Sequence, residues 1–231
     1  MEELQVFAEN VYVVDGPTVH AVGIAFPTRM IVVKLDDNSL WINSPVPVSP
    51  ATLDKMTALG RVQHLVAPTK MHVWRLVDWH ALYPNAALWA PPQIPRQFKR
   101  LPFVATLQDE PPKVWADDFE QLVFKGNCFI DEVYFHHKKS RTVIWGDFIQ
   151  NHTPIKGRPF FNCLLKVAGV AHPHGGVPID IRWSFTNREA ARESLEKLLR
   201  WDFDKLILAH GVCIKTNAKA FVRQAFRWLD T

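Results

Sequence analysis

Residues 132–148 read EVYFHHKKSRTVIWGDF. Glu132 to His136 and Arg141 to Trp145 are rich in β-branched and aromatic residues and flank a short charged turn, as two paired antiparallel strands should. The second strand runs into Gly146-Asp147, which sets a carboxylate at the C-terminal end of a strand, where α/β sheets place their sites. His136 and His137 are adjacent on one strand, so they point to opposite faces, and one of the two is expected at the surface.

Outward from this hairpin, Val11 to Val14, Met30 to Leu35 and Leu40 to Ile42 read as strands, the last two meeting across Asp36-Asp37-Asn38-Ser39. Ser49-Pro50 gives an N-cap and a first-turn proline for a helix over 50–59, with Gly60 behind it. Val62 to Ala67 is a buried strand that ends at Pro68-Thr69-Lys70-Met71-His72, because proline disfavours the helical region for the residue before it. A short helix over Val73 to Trp79 and a brief strand over Ala87 to Ala90 follow. Residues 151–185 show no sustained period and carry four prolines and four glycines, and are expected to form a long lid or substrate-side loop. Thr186-Asn187-Arg188-Glu189 has capping-box spacing for a helix with Leu195, Leu198 and Leu199 on one face. Phe203 to Ala209 is a strand ending at His210-Gly211, and a last helix runs from Thr216 to about Leu229.

The chain has 231 residues, 48% apolar and 22% charged, the balance of a globular α/β protein that can bury a large core; one domain spanning 1–231 is expected. Its net charge of +4 argues only weakly for an anionic partner, and the single locally basic run, His136 to Arg141, has no interleaved stacking aromatics, so nucleic acid is not expected. Cys128, Cys163 and Cys213 are far apart and lack CxxC spacing, which excludes a disulfide framework and a cysteine zinc site; they read as small buried residues of a reducing cytosol. Glu2 and Glu3 stand where a secretory leader carries Lys or Arg, and no stretch approaches the ~18 apolar residues of a membrane span. A cytoplasmic protein without a membrane partner is expected, acting on a small molecule. Absence of a Gly-rich phosphate loop and of a G-x-S-x-G elbow argues against P-loop and α/β-hydrolase chemistry.

Three strands thus end in loops bearing a potential ligand: His72, Asp147 and His210. Two imidazoles and one carboxylate suit Zn²⁺ or Fe²⁺ and leave positions open for water or substrate. Here PTRM (27–30) followed by a β run, APTKMH (67–72), HHKKSRTVIWGD (136–147) and LAHG (208–211) resemble the metallo-β-lactamase superfamily, and within it an uncharacterised bacterial family, over most of residues 5–215. The resemblance implies an αββα four-layer sandwich and one divalent transition metal, zinc before iron, on His72, Asp147 and His210. It also implies metal-bound hydroxide attacking an ester, thioester, amide or phosphodiester, with Asp147 both holding the ion and orienting its water. The superfamily's H-x-H-x-D-H motif is depleted: with His72 as its last histidine, the other ligand places fall on Ala67, Thr69 and Met71. One metal position is therefore lost, and Cys128 lies near the place of another usual histidine.

Blander readings stand beside these. His72 could bond only backbone carbonyls, Asp147 could cap the following turn, and His210-Gly211 could be no more than a tight turn. A degenerate, metal-free binding or scaffold protein is the alternative function. Tyr134, His136, His152 and Glu132 are candidates to assist proton transfer. His172-Pro173-His174 is a rival metal site, whereas His20, His64 and His80 have no partner at useful spacing and read as surface or satisfied interior residues. The nine tryptophans are expected to pack between helices and sheet.

Overall fold

The structure, a computed structural model, describes residues 3–21, 24–94 and 98–230; the side chain of His20 lies outside the described residues. Four strands open the chain: β1 (Gln5–Ala8), β2 (Val11–Ala21), β3 (Ile24–Lys34) and β4 (Ser39–Asn43). They form an antiparallel meander in which Val32 pairs with Tyr12 on one side and Ile42 on the other. Helix α1 (Pro50–Leu59) starts as its sequence implies, with the Ser49 side chain accepting from the Thr52 N–H and Pro50 in the first turn, where a missing N–H costs nothing. Strand β5 (Arg61–Val66), helix α2 (Leu76–Leu82), β6 (Ala87–Ala90) and β7 (Phe103–Thr106) follow, and β4 to β7 run parallel.

The second sheet holds β8 (Phe119–Phe124), β9 (Glu132–His137), β10 (Thr142–Trp145) and, after the helices α3 (Pro159–Val167), α4 (Ile179–Trp183) and α5 (Arg188–Arg200), strand β11 (Lys205–Leu208). Its order is β11-β10-β9-β8, with β10 and β11 parallel and the other pairs antiparallel. Helix α6 (Ala218–Phe226) and a short 3-10 turn close the chain.

Strand alternation builds the layers. On β3, Ile31 and Val33 face the second sheet while Met30 and Val32 face α1 and α2; on β9 and β10, Val133, Phe135 and Ile144 face the first sheet while Tyr134, Val143 and Trp145 face α5 and α6. Both sheets are covered on both sides, which gives the expected αββα four-layer sandwich.

The same double coverage overturns several expectations. Both His136 and His137 are buried, because both faces of β9 are interior. His136 bonds Glu120 at 2.6 Å and stacks on Trp201, and His137 bonds Ser140 at the hairpin tip. His64 is buried between Trp89 and Trp115, and its Nδ1 has no hydrogen-bond partner among the described residues, so it is an interior residue with one ring nitrogen unsatisfied. Trp41, Trp89 and Trp115 pack between the sheets rather than beneath helices, while Trp74 and Trp183 are exposed. Cys128 and Cys163 are exposed rather than buried, and all three cysteines are free.

Residues 151–185 are not one loop, since α3 and α4 lie within them. The α5 cap is Asn187, whose side chain accepts from the Ala190 N–H, and not Thr186, which puts Glu189 one place too early for a capping box. The last helix begins at Ala218 because the Asn217 and Ala218 N–H groups are taken by Asp204. No helix among the described residues is long and apolar enough to cross a membrane.

Candidate metal centre

Asp147 sits where β10 ends, in a turn that Glu132 organises from β9. The Glu132 carboxylate, fully buried, accepts the backbone N–H groups of Gly146 at 2.7 Å, Asp147 at 3.1 Å and Phe148 at 2.8 Å. Burial and the nearby Asp147 charge raise the Glu132 carboxyl well above its ordinary range against those donors. Glu132 is thus a turn-holding residue rather than a free proton carrier. A side chain on Gly146 would come within 3.0 Å of its Oε1.

His72 and His210 reach Asp147 Oδ1 from the ends of β5 and β11, His72 Nε2 at 3.3 Å and His210 Nε2 at 3.2 Å. Asp147 Oδ2 accepts from the Thr69 hydroxyl at 2.6 Å. The three candidate ligand atoms lie within 4.8 Å of one another. Donors about 2.1 Å from one tetrahedral ion sit roughly 3.4 Å apart, close to the two histidine to aspartate spacings.

Each imidazole is held from behind. His210 Nδ1 lies 2.7 Å from the Pro27 carbonyl, an acceptor only, so Nδ1 carries the proton. His72 Nδ1 lies 2.6 Å from Ser44 Oγ, whose own hydroxyl donates to Asn43 Oδ1, so here too Nδ1 donates. Both Nε2 lone pairs therefore face Asp147 Oδ1, the tautomers and backing bonds that metal-binding histidines use. The donor set fits a single divalent ion. With only protons present, Asp147 falls well below the usual carboxylate range although burial pushes the other way, because His72 and His210 oppose that burial with charge and hydrogen bonds. Burial lowers the His210 pKa, but the Asp147 bond and charge outweigh it and the net shift is upward.

The fold aims these backing groups. The β2–β3 register slips between Gly16 and Val19, and Pro27 occupies the irregular stretch, where a residue without an N–H is tolerated. Arg29, two residues on, places Nη1 on the Leu208 carbonyl at 2.6 Å, the Gly211 carbonyl at 2.8 Å and Cys213 Sγ at 3.0 Å, while Nε bonds Asp15. It therefore clamps both flanks of His210. Gly211 has φ +100, and a Cβ there would lie 2.1 Å from the Asn151 carbonyl oxygen. The tight-turn reading of His210-Gly211 holds at this corner, and it leaves His210 Nε2 directed at Asp147.

A cavity of about 660 Å³ is lined among others by Pro27, Arg29, His152, Phe161, Gly211 and Lys215, and by none of His72, Asp147 and His210. Of the residues expected to assist proton transfer, only His152 lines it; His152 Nε2 bonds Gln150 Oε1 at 2.8 Å. Tyr134 is buried against Trp145 without a hydroxyl partner among the described residues, and His136 is committed to Glu120. His172 and His174 are exposed and join no ligand cluster among the described residues. At the places of the depleted motif, Ala67 is buried, Met71 exposed, and only Thr69 touches the centre. Ser44, Pro27, Thr69 and Arg29 were missed by sequence reading, since each acts across a long chain separation and belongs to no ligand type.

Solved structures of this architecture overlay nearly the whole chain. The DIM-1 metallo-beta-lactamase exposed to ceftazidime is 14% identical, with 99% of this chain and 96% of that one covered and a TM-score of 0.66. A metallo-beta-lactamase from Erythrobacter litoralis is 11% identical, covering 98% and 89%, with a TM-score of 0.59. A flavo-di-iron protein from Thermotoga maritima is 11% identical over 99% of this chain and 62% of its own, with a TM-score of 0.64. At such identities the likeness establishes the fold. No curated protein matches the sequence. Residues 9–155 match the family described as a domain of unknown function, DUF4336, and the chain, a divergent protein of the metallo-β-lactamase fold, belongs to that family.

Proposed function

We propose that the protein is a mononuclear metal-dependent hydrolase, with His72, Asp147 and His210 as ligands of one divalent transition ion. The observation that carries the reading is the convergence of two correctly tautomerised imidazoles on one carboxylate oxygen. When bound, the ion supplies Lewis acidity to an oxygen of water or substrate. Chain residues do the rest. Thr69 occupies Asp147 Oδ2 and so directs Oδ1 inward, Glu132 holds the turn that presents Asp147, and the Pro27 carbonyl and Ser44 keep each Nδ1 protonated. His152 donates Nε2–H to Gln150, which leaves its Nδ1 unprotonated and able to accept a proton.

The substrate is a small molecule with an ester, thioester, amide or phosphodiester bond. Elemental analysis of untagged protein tests the assignment. About one equivalent of zinc or iron per chain is expected, lost in each of His72→Ala, Asp147→Ala and His210→Ala. Metal-free wild-type protein that takes up none on dialysis against zinc would leave a scaffold without this chemistry.

A further inference from the structure

Helix α3 turns its apolar side outward. Phe160, Cys163, Leu164 and Val167 follow the i, i+3, i+4, i+7 spacing of one helix face. That face is open to solvent, with Phe160 77% exposed and Val167 69%. The other side of the helix serves the fold: Leu165 is buried and Phe161 lines the cavity. Helix α4 extends the outer surface. The Ile179 N–H donates to the Ala168 carbonyl at the end of α3, and Ile179 and Trp183, one helical turn apart, are both exposed, Trp183 by 77%.

Charge says what covers this surface. From residue 148 to residue 179 there is no Asp or Glu. Lys156, Arg158 and Lys166 lie in that run, all exposed, and none has an ion pair among the described residues. What sets the run apart is that these cations have no acidic residue near them in sequence, whereas Lys139 pairs with Glu9 and Arg141 with Asp202. Asp180 is the only acidic residue on either helix. Protein interfaces are depleted in lysine, whereas Trp and Phe flanked by Lys and Arg mark a surface that lies in the boundary of an anionic bilayer.

We propose that the α3–α4 face docks the protein on an anionic lipid bilayer. Phe160, Leu164, Val167 and Trp183 enter the headgroup boundary, and Lys156, Arg158 and Lys166 meet the phosphates. The expectation of no membrane partner rested on the lack of a span, which peripheral docking does not require. Flotation of the full-length chain with phosphatidylcholine vesicles, with and without phosphatidylglycerol, tests the proposal. Partitioning about tenfold stronger onto the anionic vesicles is expected, weakened by salt. A drop of about tenfold is expected in both Phe160→Ser/Trp183→Ser and Lys156→Glu/Arg158→Glu, whose sites are exposed and whose folding near-ultraviolet circular dichroism checks. Equal partitioning onto both vesicle types, or none onto either, overturns it. So does a dimer in lipid-free buffer that Phe160→Ser/Trp183→Ser dissociates, which would assign the face to a second copy.

Discussion

Arg29 reaches the His210 loop across a separation of 179 to 184 residues, and it shows why single side chains at this site are hard to read from sequence. His72, Asp147 and His210 are legible because each follows an apolar run and stands in a loop with Pro or Gly, the punctuation of a strand end. Ser44, Pro27 and Thr69 are not, since a serine, a proline carbonyl and a threonine acquire their roles only when separations of 28, 183 and 78 residues close. Replacing Arg29 by Met strips the Leu208 and Gly211 carbonyls of their donor. Chelator competition should then show zinc affinity reduced about 10–100-fold, with the ligands still in place. Gly211→Ala forces a Cβ against Asn151 at positive φ, and urea unfolding should register a loss of roughly 2–4 kcal/mol.

Among the elements, long apolar strands and the helix with a serine cap and first-turn proline were readable, while β1, β7 and β8 were not. Strand β7 is mostly exposed, and in β8 a buried glutamine, Gln121, breaks the alternation that marks a strand. Helix α3 escaped because its nine residues, bounded by Pro159 and Gly169, are too few for their period to stand out in a stretch rich in proline and glycine. Between the sheets, burial holds His64 on β5 and His137 on β9 to a pKa of about 4, below the ordinary 6.5. The unfolded chain therefore binds these protons near pH 6.5 and the folded one only near pH 4. Their contribution to stability is whole above about pH 6.5 and is lost as pH falls toward 4. Urea midpoints between pH 7 and pH 4 should fall accordingly, and His64→Leu, with no proton to take up, should show a shallower decline.

At the scale of the whole molecule, the two sheets bring three strand ends together and α1, α2, α5 and α6 cover them. That packing was legible from the resemblance carried by PTRM, APTKMH, HHKKSRTVIWGD and LAHG, the apolar runs giving only the order of strands and helices, whereas the cavity and the backing of the ligands came only with the fold. A ligand bound only by the folded chain stabilises it by RT ln(1 + [L]/Kd), about 2.7 kcal/mol at a hundredfold excess over Kd. Zinc should raise the melting temperature of the wild type and leave that of His210→Ala unmoved, since removing one ligand abolishes the site while the sandwich persists. Anomalous diffraction at the zinc edge, from crystals grown with zinc, tests the central claim most directly. One peak about 2.0–2.2 Å from His72 Nε2, His210 Nε2 and an Asp147 oxygen is the expected result. Density that stays empty there, or an ion bound only at other residues, would contradict it.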